Sequence, residues 1–348
     1  GDGSLLSRLK AEGLAESLAA GAGLAWRGGS LFSVSISLTE QGVAEYDRVL
    51  QLLFAYLEML RSEGPQESLY AEQSQLAQLN FRFKEKVNPI NYVSGLTAGM
   101  HFYEPEDVLR GPYLMEDFQA SMIDGVLQGL VPDNAVVVLD YAGVSTDRVS
   151  KHYEVPYSVQ PVPGAQLARW RSAEAGSELH LPAPNEFIAE DVSLVPVARD
   201  NPAVPAVALT AQRQKIWFAQ DEEFRIPKGA TYINFRSPEV VRGPEQAAAA
   251  VLYTSVLKDE VNEFTYPALL AGLNFSLYKH AQGISLRLSG YDDKQLVLLE
   301  HLLQVIADPA FDPGRFDNIR KDMIRSLENH VAKRPSSQVI ADLREALL

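Results

Sequence analysis

The residues of this chain that could do chemistry are few and scattered. His101, His152, His180, His280, His301 and His330 are its only imidazoles, and it has no cysteine. Two histidines sharing a helix face across an acid would point to a zinc protease helix, in either orientation. No two histidines here are four residues apart. Glu300-His301 is the nearest fragment of such a motif, and its plain reading is a helix with a solvated acid and an imidazole at the margin of the apolar stripe. Without cysteine there is no disulfide, no thiolate zinc ligand and no thiol nucleophile.

Acids cluster at Glu104-Glu106-Asp107, Asp221-Glu222-Glu223 and Asp292-Asp293. A calcium loop needs alternating ligands around a central glycine and a closing glutamate, and none of the clusters has that pattern. Asp292-Asp293 stands at a strand-to-helix turn, where capping and the helix dipole favour acids. Asp221-Glu222-Glu223 reads as a polar hairpin tip. No phosphate-cradling glycine loop and no Gly-x-Ser-x-Gly elbow occurs. Arg82, Lys84 and Lys86 alternate with Phe81 and Phe83. This could be a basic edge beside an apolar anchor, able to hold an anion, with Arg82 and Lys84 as the candidates. The plainer reading, and the one the pattern favours, is a solvated helix end whose cations complement the dipole. Residue by residue, there is no self-sufficient active site.

The elements that would carry these residues centre on 283–306. Ile284, Leu286 and Leu288 alternate with Ser285, Arg287 and Ser289, the period of a strand with one buried face. After Gly290 the period changes, and Leu296, Leu299, Leu303 and Ile306 recur at helical spacing. The same switch occurs earlier. Phe32, Val34, Ile36 and Leu38 alternate with serines, then Val43, Tyr46, Leu50, Leu53, Leu57 and Leu60 form a helical stripe. A helix precedes each strand pair, and a second helix follows near 66–83 and near 313–333. This predicts two copies of one αβ unit. The second copy has strand-like sequence ahead of it, 206–237, with Ile216, Phe218, Phe224, Ile226, Tyr232, Ile233 and Phe235. The first has none, so the chain is expected to be an internal piece of a longer protein.

Taken in order, the pattern predicts a helix over 1–13, strands near 15–25 and 30–38 joined at Arg27-Gly28-Gly29, and a long helix over 40–62. A helix over 67–83 and short helical pieces over 90–130 follow. The run AVVVL at 135–139 predicts a buried strand, and Trp170 is expected to pack on the edge of the first domain. Prolines punctuate 145–205, and over 181–205 they forbid a helix. The stretch 181–205 is expected to be an extended strap, with Phe187 and Ile188 packed on one domain. From 206 onward the pattern predicts strands, a helix from Gly243-Pro244 to about Phe264, strands near 273–279 and 283–289, and two more helices. The fold class is α+β: an antiparallel sheet with helices on one face, occurring twice.

Composition excludes several functions. The net charge of −14 argues against a general nucleic-acid binder, which gains affinity from lysine and arginine on phosphates. No apolar run reaches the ~18 residues of a membrane helix. Hydrophobic content of 46% with 22% charge is that of an ordinary globular chain.

Longer stretches carry a family resemblance: SLLSRLKAEGLAESL at 4–18, RSEGPQE at 61–67, FRFKEK at 81–86, LPAPNEFI at 181–188, KIWFAQDEEFRIPKG at 215–229, LKDEVNEFTYPALLAGL at 257–273 and GYDDKQLVLLEHLL at 290–303. Together they resemble the insulysin/pitrilysin branch of the M16 zinc metallopeptidases. The resemblance implies LuxS/MPP-like metallohydrolase units, arranged in such proteins as homologous domains around a chamber that takes unfolded peptides. It implies that 1–180 is the C-terminal part of the parent's second domain, 181–205 the linker, and 206–348 the inactive third domain, truncated. It places zinc in the parent's first domain, on an inverted His-x-x-Glu-His helix, so no metal or catalytic residue carries over to this sequence and the fragment alone is expected to be inactive. An anion site known in relatives near the segment matching 81–86 makes Arg82 and Lys84 its candidates. The implied partners are the remaining M16 domains and, in the parent, peptide substrates. The implied location is periplasmic for a bacterial pitrilysin-like protein and cytosolic otherwise. The alternative is a piece of a catalytically inactive homologue acting as scaffold or peptide-binding subunit.

Overall fold

The computed structural model of the chain describes residues 1–348 except 27, 198–200, 203, 281, 330–334, 337, 341–342 and 344–348. Arg27 of the expected hairpin turn, His330, the expected end of the last helix at 333, and positions 198–200 and 203 of the strap lie outside the described residues. The contacts divide the chain into Gly1–Pro184 and Asn185–Leu348. The fold is mixed helix and strand, with small antiparallel sheets.

In the first unit, α1 (Leu5–Ala11) begins where the Ser4 hydroxyl accepts the Ser7 N–H at 3.2 Å. β1 (Ala15–Trp26) and β2 (Gly29–Leu38) form a hairpin, registered from Ala15↔Leu38 to Trp26↔Gly29. Val34, Ile36 and Leu38 are partly covered, but Phe32 at the far end is 46% exposed, so the alternating face is buried over only half its length. The expected helix over 40–62 is two helices, α2 (Glu40–Ala44) and α3 (Tyr46–Glu63). Glu45, at φ −110° and ψ 28°, leaves helical geometry between them. α2 comes so close to the hairpin that a Cβ at Gly42 would lie 1.9 Å from the Leu14 carbonyl oxygen. α3 buries more than the single stripe expected. Val49 and Leu52 pack with Leu5, Leu9, Leu14 and Ala15, while Phe54 and Leu57 pack with Trp170. A helix with neighbours on two sides needs apolar residues on both, which blurs one clean stripe.

α4 (Glu67–Arg82), α5 (Pro89–Gly99), α6 (Ala120–Gly129), the short pair β3 (Arg148–Val149) and β4 (Pro156–Tyr157), and α7 (Gly164–Arg171) complete this unit. α7 carries Trp170, whose ring stacks on Phe54 at 5.7 Å and whose Nε1 donates to Asp47 at 2.8 Å. The run 135–139 is not a buried strand. Val136 and Val138 are 92% and 84% exposed. An apolar run becomes a buried strand only beside a ladder partner, and among the described residues none pairs with it.

The second unit contains the hairpin β5 (Ala206–Ala211) and β6 (Gln214–Phe218), then β7 (Lys228–Arg236), α8 (Pro244–Glu260), α9 (Asn262–Leu270), β8 (Asn274–His280), β9 (Gly283–Tyr291), α10 (Gln295–Ala307) and α11 (Pro313–Glu328). The expected single helix to Phe264 ends at Glu260, and α9 begins after Val261. Phe224 and Ile226 lie in the loop before β7 rather than in a strand. β7, β9 and β8 form an antiparallel sheet in that order, with β9 central. Leu286 and Leu288 are 1% exposed, as the alternation predicts. α10 buries Gln295, Leu298 and Leu302, whereas Leu296 is 62% exposed, so its stripe is rotated from the one expected. The buried Gln295 amide donates to the Gly229 and Gly290 carbonyls, each at 2.9 Å, and so pins α10 to two strands at once. At Gly290 φ is +127° and a Cβ would meet the Gly272 oxygen at 2.1 Å, which reserves this turning point for glycine.

The stretch 185–191 packs within this second unit. Phe187 is 1% exposed and meets Phe264 edge-on at 5.3 Å, and Ile188 and Ala189 are buried beside it. The Asn185 amide donates to the Pro267 carbonyl at 3.0 Å.

Candidate functional site

Arg82 is the last residue of α4 and Lys84 stands two residues beyond it. The Ser74 hydroxyl donates to the Met115 carbonyl at 3.0 Å, and Tyr70 meets Phe118 at 5.5 Å, so α4 is tied along its length to the chain that follows α5. At its end Phe81 lies 5.5 Å from the ring of Tyr113, which closes a short 3-10 turn, Gly111–Tyr113. Lys84 Nζ sits 5.5 Å from the Tyr92 ring and 5.6 Å from the Tyr113 ring. The Arg82 guanidinium lies 5.0 Å over Phe83. Both cations are exposed, and among the described residues neither forms an ion pair. Aromatic faces hold such cations by about 0.5–1 kcal/mol at exposed sites while leaving N–H donors for an anion. Tyr92 and Tyr113 come from separate segments, and no spacing in the sequence announces them. The aromatic identity of both, near a basic run, was the only signal.

The charged groups around the first unit's cleft are spoken for. Arg8, Arg48 and Arg169 line a cleft of about 360 Å³ in the first unit. Glu12 accepts from both Arg8 and Arg48, Glu178 pairs with Arg8, and Asp47 accepts from Arg169 at 2.8 Å. Hydrogen bonding from Arg48, partly opposed by burial and reinforced by Arg8, holds the Glu12 carboxyl below the usual range. Burial pushes the Asp47 carboxyl up, but bonds from Arg169, Trp170 and Gln166 outweigh it and leave it low. These are clamps within the fold.

Asp293 does not cap its own helix as expected. Its carboxylate accepts the backbone N–H groups of Glu190, at 2.9 Å, and Asp191, at 3.3 Å, and lies 3.7 Å from Lys294 Nζ. Asp221-Glu222-Glu223 is not a hairpin tip, because β6 and β7 belong to different sheets. Asp221 instead accepts from the N–H groups of Glu223 and Phe224, and Glu222 accepts from the Asn201 amide. His301 stacks on Phe264 with centroids 3.5 Å apart, and burial pushes its pKa down against an opposing pull from Glu186. Among the described residues no three His, Asp or Glu side chains converge to hold a metal. Among the described residues no helix is long and apolar enough to cross a membrane.

Comparison with known proteins covers nearly the whole chain. Residues 1–76 match the family model described as the peptidase M16 inactive domain, and 81–348 match that of the middle or third domain of peptidase M16. Insulin-degrading enzyme of Homo sapiens is 35% identical over 347 residues, which is 99% of this chain and 34% of that protein. The A-factor-processing enzyme of Saccharomyces cerevisiae is 30% identical over 97% of this chain and 33% of its own length. The crystal structure of pitrilysin aligns with a TM-score of 0.74 at 21% identity, covering 94% of this chain and 35% of that one. The chain thus spans about a third of the length of the relatives it matches.

Proposed function

This chain belongs to the peptidase M16 family, and on that premise we propose that it is a non-catalytic chamber-wall and inter-domain region of an M16 zinc metalloendopeptidase. The observation that carries the reading is the match of nearly the whole chain to the inactive and middle domains of that family. Zinc and its ligands then belong to the parent's first domain, the remaining M16 domains are the partners of this region, and unfolded peptides are the substrates of the whole.

The finer organisation is part of the same proposal. Residues 1–180 end one M16 unit, 181–205 link, and 206–348 supply most of the next. Support comes from element order: α1, the β1–β2 hairpin, α2–α3 and α4 in the first unit follow the same sequence as α9, the β8–β9 hairpin, α10 and α11 in the second. The family models divide the chain near 76–81 and the contacts divide it at Pro184, which falls inside the proposed link. Arg82 and Lys84 are proposed to hold an anion on the aromatic platform of Tyr92 and Tyr113.

The test uses the parent protein. Phe187→Ser removes the buried anchor of the linker and is expected to change kcat/KM for a fluorogenic peptide severalfold. Zinc content, measured by metal analysis, should not move. Loss of zinc from the variant, or unchanged kinetics, would count against an inter-domain role remote from the metal.

A further inference from the structure

The outer face of the β7–β9–β8 sheet has an unusual charge. The chain as a whole carries 45 acids against 31 bases, yet none of these three strands contains an Asp or Glu. The register sorts their residues into two faces. Ile284, Leu286 and Leu288 lie on the covered side. Tyr232, Asn234 and Arg236 of β7, Arg287 of β9, and Ser276 and Tyr278 of β8 share the other face, and all six are exposed. The Arg287 guanidinium lies 5.3 Å over the Tyr232 ring. Among the described residues neither Arg287 nor Arg236 has an ion-pair partner. The acid that follows β7, Glu239, is already paired with Arg242 at 2.9 Å.

We propose that this sheet face binds an extended acidic peptide, with Arg287 and Arg236 taking its carboxylates and Tyr232 and Tyr278 its apolar and backbone surface. An arginine stacked on an aromatic ring is pre-ordered, keeps its in-plane N–H donors, and matches a carboxylate with paired hydrogen bonds. The hydroxyl and amide groups around it can meet a peptide backbone without repelling charge. Spacing adds specificity. Arg236 lies four positions along β7 from Tyr232, the cross-strand neighbour of Arg287, which is about 13 Å of strand. Acids at positions i and i+4 of an extended peptide span the same length and point to the same side. The proposal rests on the reading of this region as one that peptides contact, and adds the site and the charge they need there.

Fluorescence anisotropy with this chain tests it, using a labelled, strand-forming peptide with Glu at i and i+4 and its Gln counterpart. The Glu peptide is expected to bind at least about tenfold tighter, because charge-assisted bonds are roughly twice as strong as neutral ones. Arg287→Gln and Arg236→Gln alter exposed, unpaired side chains and should leave the circular dichroism unchanged. Each should weaken the Glu peptide roughly fivefold and leave the Gln peptide unmoved. Equal binding of both peptides, insensitive to both substitutions, would overturn the sheet-face proposal while leaving the peptide-contacting reading intact. Failure of both peptides to bind would overturn the sheet-face proposal and the peptide-contacting reading together.

Discussion

His301 was a fragment of a catalytic motif in the sequence and is a stacking partner in the structure. Its ring lies on Phe264, and burial lowers its pKa below the usual value. A histidine whose folded pKa is depressed favours the neutral ring, so its contribution is complete above the ordinary pKa of about 6.5 and is lost as pH falls from there through the lowered folded value. The second unit should therefore unfold at lower denaturant at pH 5 than at pH 7.5. His301→Gln should flatten that part of the pH dependence. A wild-type profile that stays level between those pH values would contradict the stacked, neutral imidazole. Lys84 belongs to the same scale. If the aromatic platform presents it to anions, Lys84→Gln should weaken tripolyphosphate binding roughly tenfold or more in calorimetry, the worth of one charge-assisted hydrogen bond. An unchanged isotherm would return Lys84 to the role of a solvated helix-end cation. Arg82 and Lys84 were legible as a basic edge, but Tyr92 and Tyr113 were not, because nothing local brings them to α4.

At the scale of elements, the anchoring of 185–191 depends on one carboxylate. Asp293 accepts two backbone N–H groups from Glu190 and Asp191, and Phe187 fills the contact with Phe264. Asp293→Asn keeps the shape and removes the charge. It should speed amide exchange at Glu190 and Asp191 by roughly tenfold or more, since hydrogen bonds to charged groups are worth about 1.5–3 kcal/mol. Exchange that does not change at those two amides would show that Phe187 alone holds the segment. The strand-to-helix switch at Gly290 and the burial of Phe187 were readable from period and composition. The rotation of the α10 stripe was not, since Leu296 has the same apolarity as Leu298 and only packing decides between them. The break at Glu45 was hidden for a related reason: helical propensity runs straight through it. The run 135–139 misled because apolar composition reports a strand's preference for burial, while its ladder partner is a tertiary fact.

At the scale of the molecule, family membership was legible because seven stretches spread over the chain agree, and each alone would be weak. The role as a region that contacts peptides without cutting them is the central claim. The most direct measurement is metal analysis of the purified chain after equilibration with zinc, paired with mass spectrometry of an unfolded peptide incubated with it. The account predicts zinc well below one per chain and an intact peptide. Zinc near one per chain, with chelator-sensitive cleavage abolished by His301→Ala, would contradict it.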